Sequence, residues 1–241
     1  MKTSLLRRLV AEFFGTAFLV AAVVGSGIMV DRLSNGNVDL ALLANTIATG
    51  AALVALILTF GPISGAHFNP TVTLADAIKG GLGWAQVSGY IVAQIVGGLT
   101  GTFAAHLMFG LSVVSLSHHT RSGGAQFLSE FVATFGLLSV IWGCSRLRSS
   151  VVPFAVGAYI TAAYWFTAST SFANPAVTIA RSVSDTFAGI RPADAPLFIV
   201  AQLLGALAST FLFRWLVPDL RQDAKNVVVA HGAAVAEGTA R

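Results

Sequence analysis

Two Asn-Pro pairs are the residues of this 241-residue chain whose types and spacing carry a chemical prediction. Asn69-Pro70 and Asn174-Pro175 each lie inside a short apolar segment. Proline is tolerated at the first position of a helix, and asparagine is a preferred N-cap residue, so each pair predicts the start of a short helix. If the two helix N-termini face each other, their partial positive charges repel cations. The Asn amides can then donate hydrogen bonds to the oxygen of a neutral solute.

Two glutamates, Glu12 and Glu130, lie early in long apolar runs. A carboxylate at membrane depth is costly and normally functional. Because no Lys or Arg lies at that depth, we expect the backbone N–H groups of the loops before the Asn-Pro pairs to be its partners. This is a scaffold role; the alternative, a proton relay, needs further titratable residues, and none is visible in the sequence.

The residues just before each Asn are expected to line a narrow polar path. Irregular backbone at membrane depth is tolerated where it lines a cavity, so residues 65–68 and 171–173 are predicted to present carbonyl groups there. His67 is placed to line the path on its cytoplasmic side. A buried histidine hydrogen-bonded to the backbone of the loop is the alternative interpretation, and both can hold together.

Other kinds of chemistry find little support in the sequence. There is no nucleophile–base pair, phosphate loop or cluster of metal ligands, so we expect neither an enzyme nor a cofactor nor a metal site. Adjacent His118 and His119 have no third ligand and are expected in a solvated loop. The single cysteine, Cys144, excludes an internal disulfide framework. The net charge of +4 comes without a basic cluster, which argues against a nucleic-acid partner.

The elements that must position these residues are apolar helices. Hydrophobic residues make up 55% of the chain and charged residues 10%, against about 25% charged residues in soluble domains, so the predicted surroundings are a lipid bilayer. A spanning helix needs about 20 apolar residues. Six stretches satisfy this: 9–30, 39–61, 84–110, 125–145, 151–169 and 195–217. The two Asn-Pro segments are too short to span and too apolar for ordinary loops. The predicted fold is therefore an all-α membrane protein with six transmembrane helices and two re-entrant half-helices.

The two halves of the chain repeat each other. Three pairs of segments match in the same order: AEFFGTAFLV with SEFVATFGLL, FNPTVT with ANPAVT, and IVAQIVGGL with IVAQLLGAL. Three spans per half is an odd number, so the second half must enter the membrane from the opposite side, which is an inverted repeat. We expect a single domain over 1–218, with half-repeats at about 5–110 and 125–217, and a cytoplasmic tail over 219–241.

The basic residues predict the orientation. With the N-terminus inside, ten basic residues are cytoplasmic and four are external, so both termini are expected in the cytoplasm. The cytoplasmic ones are Lys2, Arg7, Arg8, Lys79, Arg146, Arg148, Arg214, Arg221, Lys225 and Arg241. The external ones are Arg32, Arg121, Arg181 and Arg191. Of these, Arg181 is expected to pair with Asp185.

Together, the paired Asn-Pro boxes, the SGAHFNP segment and the two Glu-Phe starts resemble the aquaporin or major intrinsic protein family. The similarity covers about 5–217. It implies a homotetramer with one pore per subunit, passing water or small uncharged solutes passively. The first box departs from the usual Asn-Pro-Ala because Thr71 is its third residue, whereas the second box ends regularly in Ala176.

The same resemblance implies a selectivity filter just external to the second box. Its four positions, by spacing from the two Asn residues, are Thr49, Ala162, Ser171 and Val177. The family usually has arginine where Val177 stands. Water-selective members have an aromatic residue, a histidine and that arginine in the filter, and this chain has none of the three at these positions. The implied constriction is therefore wider than a water-only pore.

The segments NPAVTIAR and SDTFAGIRPAD resemble bacterial aquaporins associated with arsenic resistance. This implies a channel of the bacterial plasma membrane for small neutral solutes: arsenite and other metalloid hydroxides, methylated arsenicals, glycerol-like polyols and water. A water-selective aquaporin is one alternative. An ion-coupled secondary transporter is another, because inverted repeats with broken helices also build transporters. The absence of an acidic residue beside either Asn-Pro pair disfavours the transporter.

Overall fold

The computed structural model describes residues 3–147 and 149–216, with the side chains of 146 and 147 excepted. The predicted tail, 219–241, lies outside the described residues, as do Lys2 and Arg148. The described residues form eight α-helices and one short 3-10 turn, and no strand. The helices are α1 Leu5–Leu33, α2 Val38–Ser64, α3 Pro70–Lys79, α4 Trp84–Met108, α5 Gly124–Leu147, α6 Val152–Phe166, α7 Pro175–Ser182 and α8 Ala195–Leu216, with the 3-10 turn at Ser149–Val151.

Six helical segments are long and apolar enough to cross a membrane. Five are α1, α2, α4, α5 and α8, and the sixth is α6 together with the 3-10 turn that precedes it, Ser149–Phe166. The prediction of six spanning helices is confirmed, although their ends differ from the hydropathy edges. The second span runs on to Ser64, past the predicted residue 61, and ends where Gly65 takes a left-handed φ of 94°. The fifth ends at Phe166 rather than 169, because Thr167 is extended and begins the loop toward the second Asn-Pro pair.

The two short helices, α3 and α7, are the re-entrant elements. They have ten and eight residues, which at 1.5 Å per residue gives lengths of about 15 and 12 Å. The hydrocarbon core of a bilayer is about 30 Å thick. Neither helix can cross it, so each enters and leaves from the same side. Asn69 and Asn174 occupy the N-caps, with Pro70 and Pro175 as the first helical residues.

The packing of the helices follows the repeat. In the first half α1 packs on α2 and α4, and in the second half α5 packs on α6 and α8. Each half-helix contacts the last long helix of both halves: α3 touches α4 and α8, and α7 touches α8 and α4. Contact between α2 and α6 joins the halves, and α3 touches α7. The two half-helices therefore meet inside the bundle.

Small residues allow the closest helix pairs to form. A Cβ at Gly97 or Gly101 of α4 would overlap backbone carbonyl groups of α1, and one at Gly205 of α8 would overlap a carbonyl of α5. Ser209 stands where a second glycine would repeat the first-half spacing, and its hydroxyl lies 3.0 Å from that of Ser139 on α5. Helix backbones in membranes approach closely through residues of this size. This packing fixes the helices that carry the site.

Candidate pore

The side chain of each Asn caps its own half-helix. Asn69 Oδ1 accepts hydrogen bonds from the backbone N–H of Thr71 at 2.9 Å and from the Thr71 hydroxyl at 2.8 Å. Asn174 Oδ1 accepts from the backbone N–H groups of Ala176 at 2.9 Å and Val177 at 3.3 Å. Capping in this way satisfies N–H groups that a helix start leaves open. It also fixes the direction of each amide group.

The same two amides connect the halves. Asn69 Nδ2 donates to the carbonyl of Ala173 at 2.7 Å, and Asn174 Nδ2 donates to the carbonyl of Phe68 at 2.8 Å. An Asn amide has two N–H donors. One donor of each Asn is therefore used at the junction between the halves, and the second remains for the cavity that both residues line. Each amide therefore joins the two halves, in addition to the predicted role toward a solute.

The loops before the half-helices have an unusual backbone. Ala66 and Phe68 in the first loop, and Thr170, Ser171 and Ala173 in the second, have φ angles between 48° and 60°. Non-glycine residues avoid this left-handed region, at a cost of about 1–2 kcal/mol each. Such geometry persists only when surrounding contacts hold it. Two buried carboxylates supply those contacts.

Glu12 is fully buried on α1 and holds the first loop. Its Oε1 accepts from the Ser64 hydroxyl at 2.6 Å and from the backbone N–H of His67 at 3.0 Å. Its Oε2 accepts from the backbone N–H of Phe68 at 2.7 Å and from Gln94 Nε2 at 2.8 Å. Four donors on one carboxylate offset the cost of burying it.

Glu130, fully buried on α5, holds the second loop in the same way. Its two oxygens accept from the backbone N–H groups of Phe172 and Ala173, both at 2.9 Å. Gln202 Nε2 donates to Glu130 Oε2 at 2.6 Å and to the Thr178 hydroxyl at 2.9 Å. Both glutamates thus lie where the scaffold role requires, with loop N–H groups as partners.

Sequence reasoning missed the residues that complete this support. Gln94 and Gln202 are fully buried, and each bridges its glutamate to a threonine of the half-helix in its own half, Thr73 or Thr178. The signal was present, because the Ala-Gln dipeptide recurs at matching places in the repeat. In the sequence alone, that dipeptide is evidence only of the internal repeat.

A cavity lies inside the bundle beside the two boxes. Its wall is mostly apolar and comes from α1, α2, α5 and α6, while most of its polar groups come from the two loops and half-helices. The long helices add two polar residues, Thr49 on α2 and Tyr164 on α6. The predicted pore residues on this wall are Thr49, His67, Asn69, Ser171, Asn174 and Val177. The structure thus brings all of these to one path, and it adds Tyr164 and Arg181.

Ala162 is the exception among the four predicted filter positions. It is exposed on the outer face of α6 and does not line the cavity. The inward face of α6 consists of residues spaced by four, Val156, Ile160 and Tyr164, and Ala162 lies two residues from that face. Counting back from Asn174 does not reveal this, because the helix phase depends on how α6 packs. Tyr164 is the polar residue that α6 contributes to the cavity wall, and its hydroxyl lies 3.2 Å from that of Thr49.

His67 lies in the wall on the α3 side and is buried. Its Nδ1 lies 3.1 Å from the Thr73 hydroxyl and its Nε2 lies 3.5 Å from Asp76 Oδ2. Both α3 residues are on the half-helix that His67 precedes. His67 therefore lines the cavity and also contacts two side chains of α3.

The expected pair between Arg181 and Asp185 is wrong. Asp185 instead accepts from the backbone N–H of His118 at 2.9 Å and lies 3.1 Å from its Nδ1. Arg181 is only 2% exposed, because its guanidinium turns inward. Its Nε donates to the carbonyl of Ala188, and its guanidinium carbon lies 3.4 Å from the centre of the Phe172 ring.

The loop between α4 and α5 is anchored to the far end of α7 through these contacts. Hydrogen bonds from His118 hold the pKa of Asp185 below its usual range. The pKa of His119 is lowered, first by the partial burial of its ring and then by the positive charge of Arg121. Both histidines are exposed, as expected for a solvated loop. Among the described residues no group of three metal-ligating side chains occurs.

These features define a class of protein: a multi-pass membrane protein in which two half-helices meet at a polar point of an otherwise apolar cavity. The chain belongs to the major intrinsic protein family, whose family model, Major intrinsic protein, matches residues 1–171 and 147–240. Members of this family are channels, so the chain is a membrane channel for small solutes and not an enzyme.

Individual relatives agree with this assignment. The chain is 56% identical over 217 residues to Aquaglyceroporin AqpS of Rhizobium meliloti (strain 1021), covering 90% of this chain and 93% of that protein. It is 31% identical to Aquaporin NIP1-1 of Arabidopsis thaliana, covering 92% of this chain and 78% of the plant protein. The crystal structure of the aquaglyceroporin from Plasmodium falciparum superposes with a TM-score of 0.69 over 91% of this chain and all of its own. That pair is 18% identical, so the likeness shows the fold.

Proposed function

We propose that this channel passes small uncharged solutes larger than water, in addition to water itself. The solutes are glycerol-like polyols and neutral metalloid hydroxides, namely arsenite and its methylated forms. The single observation that carries the proposal is Val177, which lines the cavity at the turn where the family normally has arginine. A valine leaves more room there and adds no charge.

The other wall residues near Val177 support a wide path with some polarity. Thr49 and Ser171 are short, buried and in the wall. The Ser171 hydroxyl is buried with no hydrogen-bond partner among the described residues. A buried hydroxyl without a partner is costly, so a solute hydroxyl that bonds to it is favoured. Solutes with several hydroxyl groups fit such a wall.

Passive flux is part of the proposal, and the hydrogen bonds of Glu12 and Glu130 support it. Coupling to an ion or proton needs a titratable or ion-binding site near the midplane. Glu12 and Glu130 each accept several hydrogen bonds from the scaffold of the loops. No acidic residue follows directly after either Asn-Pro pair in the sequence. The ion-coupled transporter is therefore the weaker alternative.

A strictly water-selective channel is the second candidate, and two side chains favour it. Tyr164 and Arg181 both reach the cavity wall, where they reduce the space that Thr49, Ser171 and Val177 leave. The two candidates differ in one measurable property. A water-selective channel excludes glycerol, whereas the proposed channel conducts it.

Stopped-flow light scattering on proteoliposomes separates the candidates. Water, glycerol and arsenite are tested on the purified protein, with protein-free liposomes as the control. We expect water flux together with glycerol and arsenite flux well above the control. Fast water flux with solute flux no higher than in empty liposomes would overturn the proposal in favour of a water channel.

We further propose the cellular setting that the sequence indicates. The protein lies in the bacterial plasma membrane with both termini in the cytoplasm, as a single channel domain over 1–218 followed by the tail, 219–241. It assembles as a homotetramer with one pore per subunit. Reporter fusions at each terminus test the orientation, and light scattering of the detergent-solubilised protein tests the assembly. A periplasmic terminus or a monomer would contradict the respective statement.

A further inference from the structure

Arg181 is a buried cation in the wall of the cavity, and no role in the pore has been assigned to it above. It is on α7, the half-helix that begins at Asn174. Val177 and Arg181 are four residues apart, so they share one face of that helix and lie about 6 Å apart along its axis. Helical side chains lean back toward the N-terminus. The Arg181 side chain therefore leans toward the turn of Val177.

The guanidinium of Arg181 is held in one orientation. One face lies 3.4 Å from the centre of the Phe172 ring, a cation–π geometry. Its Nε donates to the carbonyl of Ala188. Among the described residues that carbonyl is the only hydrogen-bond acceptor of Arg181, so its terminal N–H groups remain available on the wall of the cavity. A guanidinium carries five N–H donors in a planar fork.

A second arginine shows that this availability is specific to Arg181. Arg121 lies 5.1 Å from the centre of the same Phe172 ring. Its side chain donates to the carbonyls of Gly189 at 2.9 Å and Ser169 at 3.1 Å. Arg121 is not in the cavity wall. Arg121 therefore connects the loop before α5 with the loops on either side of α7. The charge of Arg181, in contrast, lies in the wall of the cavity.

We propose that Arg181 is the cationic residue of the selectivity filter in this channel, one helical turn external to the position that Val177 leaves uncharged. The inference rests on the proposed function as a solute pore. Its terminal N–H groups donate to the oxygen atoms of neutral hydroxylated solutes. Its fixed positive charge repels cations and protonated species before they reach the two Asn residues. Val177 provides the space in which the guanidinium and a solute fit together.

The test compares Arg181→Met with a matched arginine outside the cavity. Methionine has similar length and can keep contact with the Phe172 ring, but it has neither charge nor donors. Arg32 is the control, because its guanidinium carbon also lies over a phenylalanine ring, that of Phe109 at 5.2 Å, and its Nη2 also donates to a carbonyl. Proton leak is measured in proteoliposomes with a pH-sensitive dye under an imposed potassium potential. Glycerol and water permeabilities are measured on the same samples.

We expect Arg181→Met to raise the proton leak about tenfold or more, because a unit charge beside a partly desolvated path changes the barrier by at least that factor. Its ratio of glycerol to water permeability should also change, whereas Arg32→Met should match the wild type in both measurements. The double variant Val177→Arg with Arg181→Met should bring the leak back to the wild-type level, because it moves the charge one turn inward. An Arg181→Met channel with wild-type leak and wild-type ratio overturns the proposal.

Two further comparisons keep the test decisive. If Arg181→Met does not reconstitute into proteoliposomes, Arg181→Lys is used instead. The lysine keeps the positive charge but lacks the planar set of N–H donors of arginine. It should retain the low leak and shift the glycerol-to-water ratio, and an unchanged ratio counts against the proposal. If the wild type conducts only water, the proposed solute range fails. The leak comparison between Arg181→Met and Arg32→Met still decides the role of Arg181.

Discussion

Asn69 and Asn174 each have two structural roles in this channel. Each side-chain oxygen caps its own half-helix, and one N–H of each amide bonds to the backbone of the opposite loop. The remaining donor is fixed in direction by these bonds. We therefore expect a solute oxygen to meet donors that need no reorganisation, which lowers the cost of stripping its water.

Val177→Arg tests whether Val177 lies at the constriction of the pore. It places a second guanidinium four residues from Arg181, and like charges at that spacing repel. The added side chain also occupies the space left by valine. We expect glycerol permeability to fall about tenfold, the effect of about 1.4 kcal/mol on the barrier, with water permeability much less affected. Stopped-flow measurements of glycerol and water permeability give the glycerol-to-water ratio for the variant and the wild type.

The uncharged variant Val177→Leu separates bulk from charge in that experiment. A leucine adds one methylene, so it should reduce glycerol permeability only slightly. If Val177→Arg leaves the glycerol-to-water ratio at the wild-type value, Val177 does not lie at the constriction.

Residue-level prediction from the sequence succeeded where the signal was duplicated and failed where it depended on packing. The Asn-Pro pairs and both glutamates recur in the two halves, so their joint placement could be anticipated. The choice between Ala162 and Tyr164 depends on the rotation of α6 about its axis, which no local pattern reveals. The inward turn of Arg181 depends on Phe172 and Ala188, two partners whose positions follow only from the folded loop.

At the scale of elements, each half holds its own loop and the halves then meet at the Asn residues. Glu12 on α1 holds the first loop, and Glu130 on α5 holds the second. Gln94 on α4 and Gln202 on α8 support them from the other side. Each half-helix is thus positioned by two long helices of its own half. The hydropathy pattern predicted these helices, but not this division of roles.

Glu12→Gln tests whether the carboxylate holds the first loop. Both Glu12 oxygens act only as acceptors for the four donors around them. A glutamine replaces one acceptor with an N–H group that faces other donors. We expect the variant to lose about 1–3 kcal/mol of stability, the cost of an unsatisfied buried polar group. The unfolding temperature in detergent and the water permeability of proteoliposomes should both be lower than in the wild type.

Asp185→Asn is the control for Glu12→Gln, because it makes the same chemical change at an exposed carboxylate. It should leave the unfolding temperature nearly unchanged. Glu130→Gln should behave like Glu12→Gln, since the second half repeats the arrangement. Equal stability of Glu12→Gln and wild type would contradict the scaffold role.

Gly97→Ala tests the closest contact between long helices. A Cβ at Gly97 would overlap the Phe13 carbonyl on α1, whereas a Cβ at Gly124 of α5 meets nothing within 4 Å. Overpacking of this kind costs about 1–3 kcal/mol. We therefore expect Gly97→Ala to have a lower unfolding temperature than the wild type. Gly124→Ala should have the same unfolding temperature as the wild type. Equal melting of the two variants would show that α1 and α4 separate at no cost.

At the scale of the whole molecule, the six spans and the repeat were the most predictable features. Long apolar runs have few alternative structures in a membrane, because every backbone polar group there must be satisfied within the segment. The half-helices followed from their length, since ten residues cannot cross the bilayer. The shape of the cavity could not be predicted, because it results from the angles at which all the helices pack.

The whole molecule should equilibrate its solutes rather than concentrate them. Glu12 and Glu130 are engaged by the scaffold, and the two capped Asn residues lie where the halves meet. We expect labelled glycerol to enter proteoliposomes until the inside concentration equals the outside one. A proton or sodium gradient should change neither the initial rate nor the final level, and a protonophore should have no effect. Accumulation above the outside concentration under either gradient would require a coupling site, and it would contradict a passive pore.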